Sequence, residues 1–372
     1  MENNKNLQNK QILDVSIGIL EGNEASKLLI TTIIPTYRRP KLLRRAIKSV
    51  LNQTYPHFQV CVYDNASGDE TAEVVAEFAK KDHRVKYHCH PENIGAMKNF
   101  LYGAEHVETP FFSFLSDDDI LLPEFYETAM AGFEKYPESM FSATTTICMD
   151  EQGNVLDVIG LKWKPCFYHT PYGFVTMLEY GHFVWTGVLF RKEVIEKVGI
   201  TLKDGIVCED MFFELRIAAH FPFVVSLKPC AIFMSHPSST CTKGGLHLYW
   251  PYWFKGIENL IEDERIPLDI RLYAEYLLTK DLKMGIFSIA VNSILQKNDE
   301  ECFKAIDVLH NHYHLKIMAF SLSTIAKACK YFPPVRYSLN FLISFRRFLI
   351  FWKDKPHLQK KFGHYAQFLS ER

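Results

Sequence analysis

Three adjacent carboxylates, Asp117, Asp118 and Asp119, follow an apolar run at residues 111–115. Carboxylates set side by side repel one another, and the arrangement is costly unless a cation neutralises it. Magnesium and manganese favour oxygen ligands, and Mg²⁺ commonly takes one or two carboxylates together with substrate phosphates. The plain alternative is a solvated acidic loop ahead of a helix opened by Pro123; a place at the end of a buried strand favours the cation. A second constellation, Cys208-Glu209-Asp210, precedes a helix carrying apolar Phe213, Leu215 and Ile217. Acidic residues also cap helix N-termini, so this pair carries chemistry only within a larger pattern. Asp64 closes another apolar run, residues 58–63. Three common chemistries are disfavoured, because the chain lacks G-x-G-x-x-G after its first strand, G-x-x-x-x-G-K-[ST] and G-x-S-x-G.

The elements that must position these acids read as alternating strands and helices. Residues 28–34 form a mostly apolar run suited to a strand buried on both faces. Pro40 opens a helix with Leu42, Leu43, Ala46, Ile47, Val50 and Leu51 at helical spacing. Residues 58–63 make a second strand, and Ser67 with Glu70 reads as a capping box for the next helix. Residues 85–89 are a third strand, a helix follows Asn93-Ile94-Gly95, and residues 111–115 are a fourth strand. This order predicts a doubly wound, mostly parallel α/β sheet flanked by helices, with right-handed crossovers. Ligands of such sheets bind outside the carboxyl ends of the strands, where Pro35-Thr36-Tyr37, Asp64 and the three aspartates lie. Further on, residues 148–159 read as a hairpin around Gln152-Gly153-Asn154, and 184–190 and 223–233 as strands.

The 372 residues are 48% hydrophobic and 23% charged, a globular balance. Lys plus Arg number 42 against 43 Asp plus Glu; the net charge of -1 excludes an overall basic nucleic-acid binder. Nine scattered cysteines without Cys-x-x-Cys argue against a zinc ribbon or a disulfide framework and for a reducing compartment. No leader peptide and no membrane span are expected, so the expected location is cytoplasmic or peripheral at the inner face of the membrane. Residues 303–372 hold twelve Lys/Arg and three Asp/Glu, a net of +9, which leaves -10 on the remainder. A basic tail on an acidic body points to an anionic surface, or to a solvated helical face. Residues 337–352 are apolar nearly all round, suited to packing on the catalytic domain, a homo-oligomer contact or a membrane. The expected organisation is a polar extension at 1–27, a catalytic domain at 28–244 and a helical region at 245–372.

From Thr32 to about Thr240 the chain resembles glycosyltransferase family 2, inverting enzymes of the GT-A fold. The resemblance lies in residues 33–40 (IIPTYRRP), 49–55 (SVLNQTY), 62–69 (VYDNASGD), Glu92-Asn93-Ile94-Gly95 and 115–119 (LSDDD), in that order. It implies that Pro35, Thr36 and Tyr37 line the base and ribose pocket and that Asp64 accepts a hydrogen bond from the base. Asn93 and Gly95 join the substrate-binding set, and Asp117 contacts ribose. Asp118 falls at the metal-binding end of the family's D-x-D motif, whose first position is Ser116 here, with Asp119 as a second carboxylate. Glu209 and Asp210 match a later Glu-Asp pair in which the Asp is the catalytic base. Trp185, Thr186 and Gly187 fall in the acceptor-side segment, and His236 where some relatives place a residue near the diphosphate and its metal. His310, His312 and His314 read as surface residues.

The implied reaction is transfer of a sugar from a nucleotide-sugar donor, expected to be a UDP-sugar, to a hydroxyl on a glycan, glycolipid or protein. The implied cofactor is Mn²⁺ or Mg²⁺. A sugar hydroxyl is a poor nucleophile, so Asp210 would take its proton as the bond to the anomeric carbon forms. The transition state is oxocarbenium-like, and charge builds on the departing diphosphate. The competing readings are a non-catalytic nucleotide-sugar binder and a sugar-phosphate nucleotidyltransferase, which carries a Gly-rich loop where this chain has Thr36-Tyr37-Arg38-Arg39-Pro40.

Overall fold

The computed structural model describes residues 29–200, 209–235 and 245–369. The expected extension at 1–27 and His236 lie outside these residues, as does the side chain of Glu209. Strand β1 (Ile30–Thr36) is buried along its whole length. Helix α1 (Pro40–Leu51) starts with proline, whose missing N–H costs nothing in a first turn, and buries Leu43, Ala46, Ile47 and Val50. Strand β2 (Phe58–Asp64), helix α2 (Thr71–Ala79), strand β3 (Val85–Cys89), helix α3 (Ala96–Glu105) and strand β4 (Phe111–Phe114) complete the alternating half.

The remainder of the sheet is mixed. It comprises β5 (Ile120–Leu121), α4 (Phe125–Lys135), the hairpin β6 (Phe141–Met149) and β7 (Val155–Ile159), β8 (Phe167–Tyr168) and α5 (Tyr172–Tyr180). A 3-10 turn (Trp185–Gly187) then leads into β9 (Val188–Arg191), α6 (Glu193–Val198), α7 (Glu209–His220) and β10 (Phe223–Met234). The strand order is β3-β2-β1-β4-β9-β6-β10-β5, with β7 beside β6 and β8 beside β10. Pairing is parallel from β3 to β4, β9 runs antiparallel to β4 and β6, and β10 lies parallel to β6.

The chain winds outward from β1 to β3 and returns to β4 on the other side of β1, which makes a topological switch point there. Pairing of β1 with β2 continues to Thr36 opposite Asp64, whereas pairing with β4 ends at Ile33 opposite Phe114. Leu115 N still bonds to Ile33 O, and the acidic run begins beyond the end of this pairing.

Two sequence expectations change. The Ser67/Glu70 capping box does not form: α2 starts at Thr71, whose N–H donates to Asp69 Oδ1 at 3.0 Å. The Ser67 hydroxyl is taken by Asp64 instead, at 2.6 Å. The strand expected at 184–190 begins only at Val188, because the preceding residues turn to bring Thr186 onto the acidic loop.

The C-terminal helices are α8 (Leu246–Ile261), α9 (Leu268–Gln296), α10 (Asp299–Asp307), α11 (Lys316–Tyr331) and α12 (Pro333–Phe362). They share a core with the sheet: Trp253, Ile257, Leu282 and Ile286 cluster with Phe112, Phe190, Phe212 and Phe213. Burying rings and branched chains of this size stabilises by roughly 1.5–3 kcal/mol each, which makes the junction a main source of stability. At Gly256 an added Cβ would lie 2.3 Å from the Phe212 ring, so only glycine lets α8 approach α7 this closely. At its far end α12 seats Phe362 against Ile147, Met149 and Ile232. Among the described residues, no helix is long and apolar enough to cross a membrane.

Candidate active site

The end of β1 joins the other strand ends. Thr36 is buried, and its Oγ1 donates to Asp117 Oδ2 at 2.7 Å. Its carbonyl accepts from Asn65 N at 3.0 Å, across to β2. Arg38 takes a left-handed backbone (φ 55°), which turns the chain sharply out of the strand. Its N–H donates to Ser67 Oγ at 2.9 Å, its Nε to Ser67 O at 3.1 Å, and its guanidinium lies 5.1 Å from the Tyr37 ring centre. Tyr37 itself stays partly exposed, suited to meeting a flat ligand.

Asp64 is buried and held on both oxygens. Oδ1 accepts from Ser67 N and Ser67 Oγ, and Oδ2 from Tyr87 Oη at 2.6 Å. Burial, then the bond to Asp64, pushes the Tyr87 phenol far up, so it remains a donor. Asn65 follows Asp64, and both ends of its amide are used. Its Nδ2 donates to Asn93 Oδ1 at 2.9 Å while its Oδ1 accepts from Ile94 N at 2.8 Å. Asn93 Oδ1 also takes Gly95 N, and Gly95 sits at φ 90°, a conformation that glycine adopts without strain. Asn93 and Gly95 are thereby fixed beside the end of β2.

The three aspartates have three fates. Asp117 is 5% exposed, with Oδ2 on Thr36 and Oδ1 on Arg39 Nη1 at 3.2 Å. Burial pushes its carboxyl up to about 6 and Asp118 adds to the rise, against the pull of Thr36 and Arg39. Asp118 Oδ2 accepts from the same Arg39 Nη1 at 2.9 Å, and its carbonyl accepts from Arg45 Nη2 at 2.6 Å. Asp119 is 1% exposed, and its oxygens bond to Thr186 Oγ1 at 2.5 Å and Met234 N at 2.8 Å. Burial and the neighbouring Asp118 push its carboxyl well above the usual range. The expected second metal carboxylate thus has both oxygens engaged by the protein and pins the acidic loop to β10 and the 3-10 turn.

Trp185 and Gly187 sit in that turn as packing residues. The Trp185 ring stacks on Phe114 with centres 4.2 Å apart and meets Phe100 and Phe213 edge-on. A Cβ on Gly187 would lie 2.3 Å from Thr146 Oγ1. On α7, Asp210 Oδ1 accepts from the N–H of Met211. One turn later Glu214 is fully buried; its Oε2 accepts from Phe183 N at 2.8 Å, while Oε1 has no partner among the described residues. Burial pushes this carboxyl well above the usual range, and Asp210 adds to the rise.

Direct bonds therefore bring together Thr36, Asp117 and Asp118, and Ser67 with Arg38 links Asp64 to the same loop. Sequence reasoning missed Arg39, Asn65, Tyr87 and Glu214. Only Arg39 and Asn65 had a signal, being inside the quoted motifs; Tyr87 and Glu214 depend on partners 23 and 31 residues away.

Residues 31–199 match the model of glycosyl transferase family 2. The GalNAc(5)-diNAcBac-PP-undecaprenol beta-1,3-glucosyltransferase of Campylobacter jejuni is 32% identical over 127 residues, 34% of this chain and 40% of that protein. An uncharacterized glycosyltransferase of Rickettsia bellii is 31% identical over 144 residues, 38% of this chain and 20% of that protein. The matched stretch thus spans 20% to 40% of these relatives' own length. The crystal structure of Staphylococcus aureus TarS 1-349 in complex with UDP-GlcNAc shares the fold, with a TM-score of 0.62 and 14% identity, covering 82% of this chain and 92% of that one. The similarity of the chain to glycosyl transferase family 2 thus lies in residues 31–199, somewhat under half of its length.

Proposed function

We propose that the protein is an inverting glycosyltransferase that moves a sugar from a UDP-sugar to a hydroxyl of a glycan, glycolipid or protein. The observation that carries this reading is the bonding of Thr36 to Asp117 across the switch point, with Asp64 in register beside Thr36. Asp64 and Tyr37 would receive the base, and Thr36 and Asp117 the ribose. Asp210, at the start of α7, would take the proton of the acceptor hydroxyl as that oxygen attacks the anomeric carbon. One base suffices for inversion, since no covalent enzyme intermediate is needed.

A divalent cation, Mn²⁺ or Mg²⁺, fits the Asp117–Asp118 pair. The two carboxylates already converge on one cationic group, the Arg39 guanidinium. Asp118 would hold the metal, with donor phosphates completing its shell, and the ion would offset the charge growing on the nucleoside diphosphate. Two carboxylates plus substrate suit such an ion; among the described residues no group of three or more potential metal ligands is present. Titration calorimetry with UDP-, GDP- and dTDP-sugars, with and without Mn²⁺, tests the reading. A UDP-sugar should bind best and more tightly with metal, and Asp118→Ala should remove the metal's effect. Absence of binding by any of these donors would refute the assignment.

The proposed location rests on the helical region. Ile317, Phe320, Tyr337, Phe341 and Leu342 are exposed on α11 and α12, within a tail of net charge +9. Apolar side chains among basic ones suit peripheral contact with an anionic membrane, which would place the enzyme at the inner face near a lipid-linked acceptor. Co-sedimentation with phosphatidylglycerol vesicles should fall when Ile317→Asp and Phe320→Asp are combined. A homo-oligomer burying the same strip is the competing outcome, read by sedimentation equilibrium.

A further inference from the structure

The guanidinium of Arg39 bridges the carboxylates of Asp117 and Asp118. Its Nη1 lies 3.2 Å from Asp117 Oδ1 and 2.9 Å from Asp118 Oδ2, so one donor group serves both carboxylates. Arg39 is the N-cap residue of α1, placed there by Pro40 at the first helical position. Asp117 is also held by Thr36, and the backbone of Asp118 by Arg45. The Arg39 side chain is 36% exposed, whereas those of its partners are 6% and 13% exposed, so the arginine can leave without unpacking the core. A planar guanidinium suits phosphate oxygens as well as carboxylates, so a departing Arg39 has a natural partner in a diphosphate.

We infer that Arg39 is a resident counter-cation of the donor site. It neutralises Asp117 and Asp118 in the empty enzyme, holds off free metal, and transfers to the donor's phosphates when metal and nucleotide enter together. This rests on the reading of the site as one for a nucleotide sugar and a divalent cation. The consequence is a loading order: metal binds poorly alone and well with the nucleotide.

The test is calorimetric titration of the full chain with Mn²⁺, without and with UDP, for the wild type, Arg39→Gln and Arg39→Lys. Without UDP, Arg39→Gln should bind Mn²⁺ about tenfold more tightly than the wild type, as expected when a charge-assisted competitor is removed. Arg39→Lys, which keeps a point charge but not the fork, should fall between them. With saturating Mn²⁺, UDP should bind Arg39→Gln more weakly than the wild type. A purely structural arginine would not raise metal affinity on removal. The proposal is overturned if Mn²⁺ binds Arg39→Gln no better than the wild type without UDP, or binds neither. If Arg39→Gln does not fold, Arg39→Lys decides by the same criterion. Failure of the wild type to bind UDP under any condition refutes the nucleotide-sugar reading instead, and leaves the metal comparison to decide the role of Arg39 at the carboxylates.

Discussion

Thr186 Oγ1 lies 2.5 Å from Asp119 Oδ2, a buried bond between residues 67 positions apart that ties the acidic loop to the turn before β9. Together with the bond from Met234 N, it leaves Asp119 as an anchor while Asp117 and Asp118 share Arg39.

Thr186→Val keeps the shape of the side chain and removes the hydroxyl. A buried carboxyl oxygen then loses its partner, which should cost about 1–3 kcal/mol. Urea denaturation would read the loss; an unchanged midpoint would mean that the bond does not stabilise the loop.

Asp210→Asn retains an oxygen for Met211 N and cannot accept the acceptor's proton. Transfer should fall by about two to four orders of magnitude. Donor affinity, measured by calorimetry, should stay near the wild-type value. Turnover at the wild-type rate would remove Asp210 from the role of base.

Glu214 gives a pH dependence with a definite sign. Its carboxyl is raised in the folded state by burial, so above about pH 4.5 the unfolded chain releases a proton that the folded chain keeps. Stability from this group is therefore full at low pH and is lost as pH climbs towards the raised value. Glu214→Gln removes the titration and preserves an acceptor for Phe183 N. Its melting temperature relative to the wild type should rise between pH 4.5 and 8, by about 2–4 °C for each kcal/mol. A difference independent of pH would contradict the assignment.

Gly256→Ala forces a methyl group into the Phe212 ring. Overpacking of this kind should cost about 1–3 kcal/mol. Because α8 shares its core with the sheet, the near-UV circular dichroism signal and total helicity should be lost together. Two separate transitions would show instead that the helical region folds alone.

Local chemistry made much of this protein readable from its residues in order. The β-branched run of β1, the proline opening α1 and the alternation of the first four strands require a parallel sheet. Strand ends then place Thr36 beside Asp64, and Asp117, in the loop beyond β4, reaches Thr36 through its side chain. Neighbouring side chains alone could not say which of three consecutive aspartates would face the crevice. That choice depends on Thr186 and Met234, 67 and 115 residues away, which capture Asp119. The same holds for Trp185, whose ring serves the core because Phe114 and Phe213 close around it. Burial and long-range hydrogen bonding depend on what the folded chain brings near, so only the tertiary structure decided them.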